Sequence, residues 1–403
     1  LAAARAGDGQ VVTVRGEAGI GKSRLCHEFL QHCAAQGFEV HAGTGVAYAG
    51  AWPLHPIRNL ALSRLGLVGR SNPAEVRRLV AGTLLLEHPE HAAALPSVFD
   101  FLGAGEATAA APDTVMLTRA KLFELLAEFL PCPGEAPLVL LLEDLHFIDA
   151  ASTEFLQSLA ASVRGHRTLL LLNYRPDYPD HWLRPLSQLQ VEVTALDAAQ
   201  LTQLATTRLG HDPSVTALAT ELGTRAGGNP FFVEEAVQAL VDAGRLQGER
   251  GHYHLPQALD AWVIPDSVHS LLAARIDRLP EQSKTLLQAA AVIGEAFPAE
   301  HLATLLEWPV AQCETVLGLL LAQDFLRLVA DDGAAQYEFR HTLMQEVAES
   351  LLLDSQRQRL HARIAALMEA HHPPDAVGHA ASVCIAFHWA AAQQWAKAGE
   401  WNL

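Results

Sequence analysis

The run Gly16-Glu17-Ala18-Gly19-Ile20-Gly21-Lys22-Ser23 constrains this chain most, because it fits the phosphate-binding pattern G-x-x-x-x-G-K-[ST] at every required position. An apolar stretch, Val11-Val12-Thr13-Val14, precedes it, and a helical pattern through Leu25, Phe29 and Leu30 follows. In a strand–loop–helix unit of this kind, glycines let backbone N–H groups turn inward around phosphate oxygens, and the helix N-terminus adds partial positive charge. Lys22 then reaches the β- and γ-phosphates, and the Ser23 hydroxyl takes a position on Mg²⁺. Gly16, Glu17, Ala18, Gly19, Ile20 and Gly21, with Arg24 after them, complete the expected cradle. The pattern implies a site for a nucleoside triphosphate with Mg²⁺.

Strand signals alternate with helix signals through the first half, as in a parallel sheet covered by helices. Val11 to Val14 predicts the first strand, Phe38 to Ala42 the second and Leu138 to Leu142 the third; Thr168 to Leu172 predicts the fourth and Val191 to Val193 a short fifth. The third is too apolar to face water on either side. A helical insertion rich in Leu and Ala is expected from about Pro53 to Leu130. After Leu196, helical periodicity takes over through Leu201, Leu204, Leu209, Leu218 and Leu222. Gly227-Gly228-Asn229-Pro230 breaks it ahead of a new helix at Phe231. Arg245 to Leu255 reads as a small hairpin. From Ser267, three or four helices lead into a two-stranded ribbon, Phe325 to Val329 and Gln336 to Phe339 about a turn at Asp331-Asp332-Gly333, which describes a winged helix. From about Ser355 the chain is helical again, and Ala386-Phe387-His388-Trp389, Trp395-Ala396 and Gly399-Glu400-Trp401 look like the opening of helical-hairpin repeats. The expected fold is an α/β P-loop NTPase domain (a parallel sheet with helices on both faces) over residues 1–195, then an all-α lid over 196–255. A winged helix over 256–352 and the start of α-helical, TPR-like repeats over 353–403 complete it.

Leu140-Leu141-Leu142-Glu143-Asp144 places two carboxylates at the end of a buried strand, where a phosphate-binding loop needs them beside Mg²⁺ and the attacking water. One acid orients the metal through its water shell and the other polarises the nucleophile. By position Glu143 goes to the metal, with Ser23, and Asp144 to the water, with the reverse assignment left open. Leu172-Asn173-Tyr174-Arg175 repeats the design on the next strand: Arg175 is the candidate sensor of the γ-phosphate and Asn173 a weaker one.

Composition narrows the rest. The chain has 403 residues, begins at Leu1 rather than Met, and ends in a helical pattern at Leu403, so it reads as a piece of a larger protein. No apolar run approaches the ~18 residues of a membrane span and no signal peptide is evident, so no membrane partner is expected. Cys26, Cys33, Cys132, Cys313 and Cys384 are scattered and odd in number, which argues against a disulfide framework or a zinc site and for a reducing cytoplasm. Among the 20 histidines, His88-Pro89-Glu90-His91 and His371-His372 come closest to a metal pattern, but neither brings three ligands together. The net charge of −17 argues against a nucleic-acid surface. From Leu255 to Ser350, 14 Asp plus Glu stand against 5 Lys plus Arg, so the winged helix suits protein contact rather than DNA.

An ordered set of motifs carries a family resemblance. Gly-Glu-Ala-Gly-Ile-Gly-Lys-Ser-Arg-Leu at 16–25, Leu-Glu-Asp-Leu-His-Phe-Ile-Asp at 142–149 and Asn-Tyr-Arg-Pro at 173–176 are its first half. Gly-Asn-Pro-Phe-Phe-Val-Glu-Glu at 228–235, Ala-Ala-Arg-Ile-Asp-Arg-Leu-Pro at 273–280 and Phe-Arg-His at 339–341 complete it. The set resembles signal-transduction ATPases of the AAA-like, STAND type, as found behind class III adenylate/guanylate cyclase domains and in large LuxR-type regulators. The Gly-Glu-Arg-Gly turn at 248–251 is most similar to the cyclase-linked branch. The resemblance implies a slow ATPase that is closed with ADP and open with ATP, controls an output domain on the same polypeptide, meets a protein partner through its repeats, and assembles in a nucleotide-dependent way. It also implies that Pro230 touches the nucleotide and that His341 holds the β-phosphate of ADP. The sequence departs from the family in carrying Phe147-Ile148 where Trp-Ala is usual, and it lacks the Gly-Arg-Glu box that supplies part of the adenine contact. A DNA-binding regulator and a scaffold that binds nucleotide without hydrolysing it are the competing readings.

Overall fold

In the computed structural model the described residues are 1–45, 54–67, 72–87, 89–105, 119–131, 136–256, 265–294, 296–331, 334–371 and 379–401. Pro53, His88, Cys132, His372 and the Asp332-Gly333 turn lie outside them.

Five strands form a parallel sheet: β1 (Gln10–Arg15), β2 (Glu39–Thr44), β3 (Leu138–Glu143), β4 (Thr168–Tyr174) and β5 (Leu189–Glu192), in the order β2-β3-β4-β1-β5. Successive side chains of a strand point to opposite faces, and β3 divides accordingly. Leu138, Leu140 and Leu142 enter one core with Ile57, Phe123 and Phe155. Val139 and Leu141 enter the other, against Cys26, Leu30 and Cys33 of the helix Lys22–Ala35. Helices cover both faces, so β3 is buried at every residue, and its sequence is one continuous apolar run. The insertion between β2 and β3 supplies the helices His55–Arg64, Pro73–Glu87, Leu95–Phe101 and Arg119–Phe129.

Parallel strands deliver their carboxyl ends to one edge, which is where open α/β sheets bind ligands. Val14 is level with Asn173, and Leu142 with Leu172. The Gly-rich loop after β1, the acid pair at the end of β3 and the Asn173–Arg175 segment at the end of β4 therefore meet, with β4 between the other two strands.

Beyond β5 the helices Ala198–Leu209, Thr216–Arg225 and Pro230–Asp242 precede Val268–Asp277, Glu281–Ile293, Ala299–Leu306 and Val310–Ala322. One apolar core runs through this region from Leu201 to Ala348. The expected two-stranded ribbon is a three-stranded antiparallel sheet, β6 (Ala296–Pro298), β7 (Leu326–Asp331) and β8 (Ala334–Phe339), in the order β6-β8-β7. β6 is absent from the expected elements because three residues ending in proline are too few to show a period; Phe297 sits opposite Tyr337 with their rings stacked at 6.4 Å. The expected hairpin at Arg245 to Leu255 reduces to a single bridge between Gln247 and His254. The helices Thr342–Ser350, Asp354–His371, His379–Ala391 and Trp395–Trp401 complete the chain. No single described helix is long and apolar enough to cross a membrane.

A buried ionic cluster joins the helix Pro230–Asp242 to the helix Val268–Asp277. Arg275, 3% exposed, bonds Glu235 and reaches Asp242 at 2.8 Å. It also donates to the Gln323 carbonyl at 2.8 Å, and its guanidinium lies 4.5 Å from the centre of the Phe325 ring.

Candidate functional site

The loop after β1 adopts its shape because two of its glycines take backbone angles that other residues avoid. Gly19 has φ +74° and Gly21 φ +104°, and a Cβ on Gly19 would meet Asn229 Oδ1 at 2.9 Å. Gly21 caps the helix Lys22–Ala35 without any side-chain cap, which leaves the amides of its first turn as donors facing a cleft. Lys22 is buried and donates to the Glu17 carbonyl at 3.0 Å; burial lowers its pKa, while Asp144 draws it back up.

The cleft holds about 540 Å³ between the carboxyl edge of the sheet and the C-terminal segments. Ala18, Gly19, Gly21, Lys22, Ser23, Arg24, Glu143, Asp144, Arg175, Pro230 and His341, all singled out by sequence, line it together. Gly16, Glu17 and Ile20 do not: Gly16 packs against Val193, and Ile20 is buried. Lys22, Arg24, Arg175, Arg327 and Arg340 bring cationic side chains to the cleft, in a chain whose net charge is −17.

Asn173 orders the acid pair. Its Nδ2 donates to Glu143 Oε1 at 2.9 Å, and its Oδ1 accepts from the Asp144 amide at 2.8 Å. His27 Nε2 stands 3.3 Å from the other Glu143 oxygen. Asp144 takes a left-handed φ of +54°, and its carboxylate lies 3.9 Å from His146 Nδ1. Burial and the neighbouring Glu143 push the Asp144 carboxyl up to about 6, against the pull of Lys22 and Arg175. Glu143, Asp144 and Ser23 line the same cleft, and carboxylate and hydroxyl oxygens are the hard donors that Mg²⁺ takes when phosphate and water complete its shell.

The C-terminal segments close the cleft. Asn229 caps the helix Pro230–Asp242 by accepting from the Phe231 amide at 3.0 Å, and its Nδ2 donates to the Ala18 carbonyl at 3.0 Å. His341 caps the helix Thr342–Ser350 through Nδ1, which accepts from the Leu343 amide at 3.1 Å; its ring stacks on Phe231 at 4.1 Å. Burial, then Arg175 and Lys22, pull the His341 pKa down to about 4, so its imidazole is neutral at pH 7. Arg175 forms a two-pronged pair with Glu346, at 2.5 and 3.3 Å. Sequence reasoning missed Asn229, His27, Arg340 and Glu346 as residues of the site. His27 shares the helix of Lys22, a placement visible in the sequence, whereas nothing local marks Glu346 as a partner for Arg175.

An uncharacterized protein of Rhizobium meliloti (strain 1021) is 28% identical over an alignment of 373 residues that covers 89% of this chain. The chain spans 35% of that relative's length. Among solved structures, a STAND protein with a tetratricopeptide repeat sensor from Pyrococcus horikoshii is similar over 98% of this chain and 47% of its own, with TM-score 0.47 and 14% identity. A RuvB variant from Thermotoga maritima is similar over 84% of this chain and 87% of its own, with TM-score 0.32 and 14% identity. Residues 1–172 match the AAA ATPase domain family.

Proposed function

We propose that this chain is a regulatory ATPase module that binds ATP with Mg²⁺, hydrolyses it slowly and changes state with the nucleotide it holds. The observation that supports this reading most is the shared cleft: the loop, the acid pair and Arg175 of the sheet face Pro230 and His341 of two later segments. A ligand shifts a conformational equilibrium only if its contacts differ between the states, and a site built from separate segments provides such differences. Ser23 and Glu143 would hold Mg²⁺, which when bound would supply positive charge against the negative charge that develops during phosphoryl transfer. The first-turn amides and Lys22 hold the phosphates. Glu143, fixed by Asn173 and His27, suits the metal side. Asp144, with its carboxyl raised to about 6, suits acceptance of a proton from water. The neutral His341 faces a phosphate as a hydrogen-bonding group and not as a cation. The output controlled by the switch, a nucleotide cyclase on the family resemblance, belongs to the same proposal, as do a cytoplasmic setting and a protein partner for the C-terminal helices.

The test is to identify the nucleotide that co-purifies and to measure turnover, beside Lys22→Ala. Retained ADP with turnover well below the ~10 s⁻¹ typical of enzymes supports the switch. Fast, continuous hydrolysis that Lys22→Ala abolishes refutes it. Glu143→Gln is expected to lose Mg²⁺-dependent binding, and Asp144→Asn to keep binding and lose hydrolysis; the opposite result exchanges their roles.

A further inference from the structure

The arginine after β4 that a terminal phosphate would need is already engaged. Arg175 comes directly after the last residue of β4 and lines the cleft with Lys22 and Asp144. Its two terminal nitrogens meet the two Glu346 oxygens at 2.5 and 3.3 Å, and its guanidinium lies 5.3 Å from the centre of the Phe147 ring. Both side chains of the pair are mostly withdrawn from water, at 19% and 28% exposure. Glu346 belongs to the helix Thr342–Ser350, which His341 caps, so one helix brings both residues to the site.

We infer that Glu346 makes this site prefer a nucleoside diphosphate to a triphosphate, by holding Arg175 with the negative charge that a terminal phosphate would otherwise supply. The inference rests on the reading of the cleft as a nucleotide site. Carboxylate and phosphate satisfy the guanidinium fork in the same two-pronged way, so the two compete for one arginine. A diphosphate held by the loop amides and Lys22 leaves the Arg175–Glu346 pair intact. A triphosphate must break it, and its terminal charge then meets the displaced Glu346 carboxylate on the Asp144 side of the cleft. Glu346 already contributes to the raised carboxyl of Asp144, which places its field at that end of the cleft. Breaking the pair also frees the helix that carries His341 away from the stack on Phe231, so exclusion of the triphosphate and closure of the cleft are one coupled equilibrium.

Glu346→Gln keeps the size of the side chain and removes its charge. Titration calorimetry with Mg²⁺–ADP and with a non-hydrolysable Mg²⁺–ATP analogue is expected to move the affinity ratio about tenfold toward the triphosphate, within the usual range of coupling between sites. Arg175→Ala is expected to lower triphosphate affinity and to make Glu346→Gln silent when the two are combined, because the pair is then already absent. On the unsubstituted chain, amide hydrogen exchange in the helix Thr342–Ser350 is expected to be faster with the analogue bound than with ADP. A chain that binds both nucleotides but shows an unchanged ratio in Glu346→Gln, or equal exchange rates, overturns the inference and leaves the nucleotide site standing. Failure of the unsubstituted chain to bind either nucleotide, level with Lys22→Ala, overturns the nucleotide reading and the inference with it.

Discussion

Replacing Arg275 with methionine removes the cation bonded to Glu235 and reaching Asp242, while Met still fills much of the space beside Phe325. Glu235 is 5% exposed and is left with a buried charge that it must either keep uncompensated or neutralise by taking a proton. Removing one partner of a buried pair costs about 3–5 kcal/mol. Asp242 is 21% exposed and can be solvated in part, which places the expectation near the middle, at about 4 kcal/mol. For a cooperative unit of roughly 150 residues, that is a fall in melting temperature of about 8–16 °C. The relevant calorimetric transition is that of the core running from Leu201 to Ala348. Adding Glu235→Leu to Arg275→Met is expected to restore much of the loss, because it removes the stranded charge, although the same change destabilises the unsubstituted chain. The pH dependence has a definite sign. Burial, opposed by Arg275, holds the folded Glu235 carboxyl up at about 7, above its ordinary 4.5. Its contribution to stability is therefore complete below about 4.5 and fades as pH rises through 7. Without Arg275 the carboxyl rises further, so the deficit of Arg275→Met is expected to be larger at pH 8 than at pH 5.5. A fall under about 3 °C, or strictly additive effects of the two substitutions, would refute the reasoning.

Asn229 both caps a helix and ties it to the phosphate loop, and two substitutions separate the roles. Asn229→Ala is expected to cost about 1.5–2.5 kcal/mol from the lost cap and the lost bond to Ala18, whereas Asn229→Asp keeps the cap and loses only the donor. Thermal melts should therefore separate the two, while calorimetric nucleotide affinity falls in both; full affinity in Asn229→Asp refutes the role of the amide. Burial pulls His55, His341 and His361 down to about 4, and His146 and His388 to about 3, so these five side chains hold fewer protons in the folded chain than in the unfolded chain below pH 6.5, which outweighs the raised carboxyls of Glu235 and Asp144. The stability these groups confer is present above pH 6.5 and is lost as pH falls toward 4. His361 and His388 meet through their Nδ1 atoms at 2.9 Å, which requires one to accept and forbids both from being charged without breaking the bond. Calorimetry is expected to show a steep fall in melting temperature between pH 6.5 and 4.5, with more than about two protons taken up on unfolding; a flat profile refutes it.

How far the sequence is legible depends on the range of the interactions involved. The loop, the acid pair and the five strands are local patterns: a glycine that needs positive φ, a run of leucines buried on both faces, a polar residue at the end of a strand. A parallel sheet then brings the strand ends together without further information, so Lys22, Glu143, Asp144 and Arg175 can be assigned to one edge from their places in the pattern. The role of Asn173 is half visible. Its position at a strand end can be read, but its bonds to both acids depend on β4 lying between β1 and β3, an order the sequence does not state.

Pro230 and His341 reach the candidate list by family resemblance, since their own surroundings show only a helix start and a residue after a strand. Glu346 has no such route. It lies 171 residues from Arg175, on a helix whose local pattern gives no sign of facing a phosphate site. The overall charge offers no help either, because −17 is a sum over the chain, whereas the cleft gathers arginines from strands, helices and loops far apart in sequence. Local chemistry places the groups that hold a nucleotide, and the long-range packing of Glu346, Asn229 and His341 against them is where a preference between nucleotides can be built.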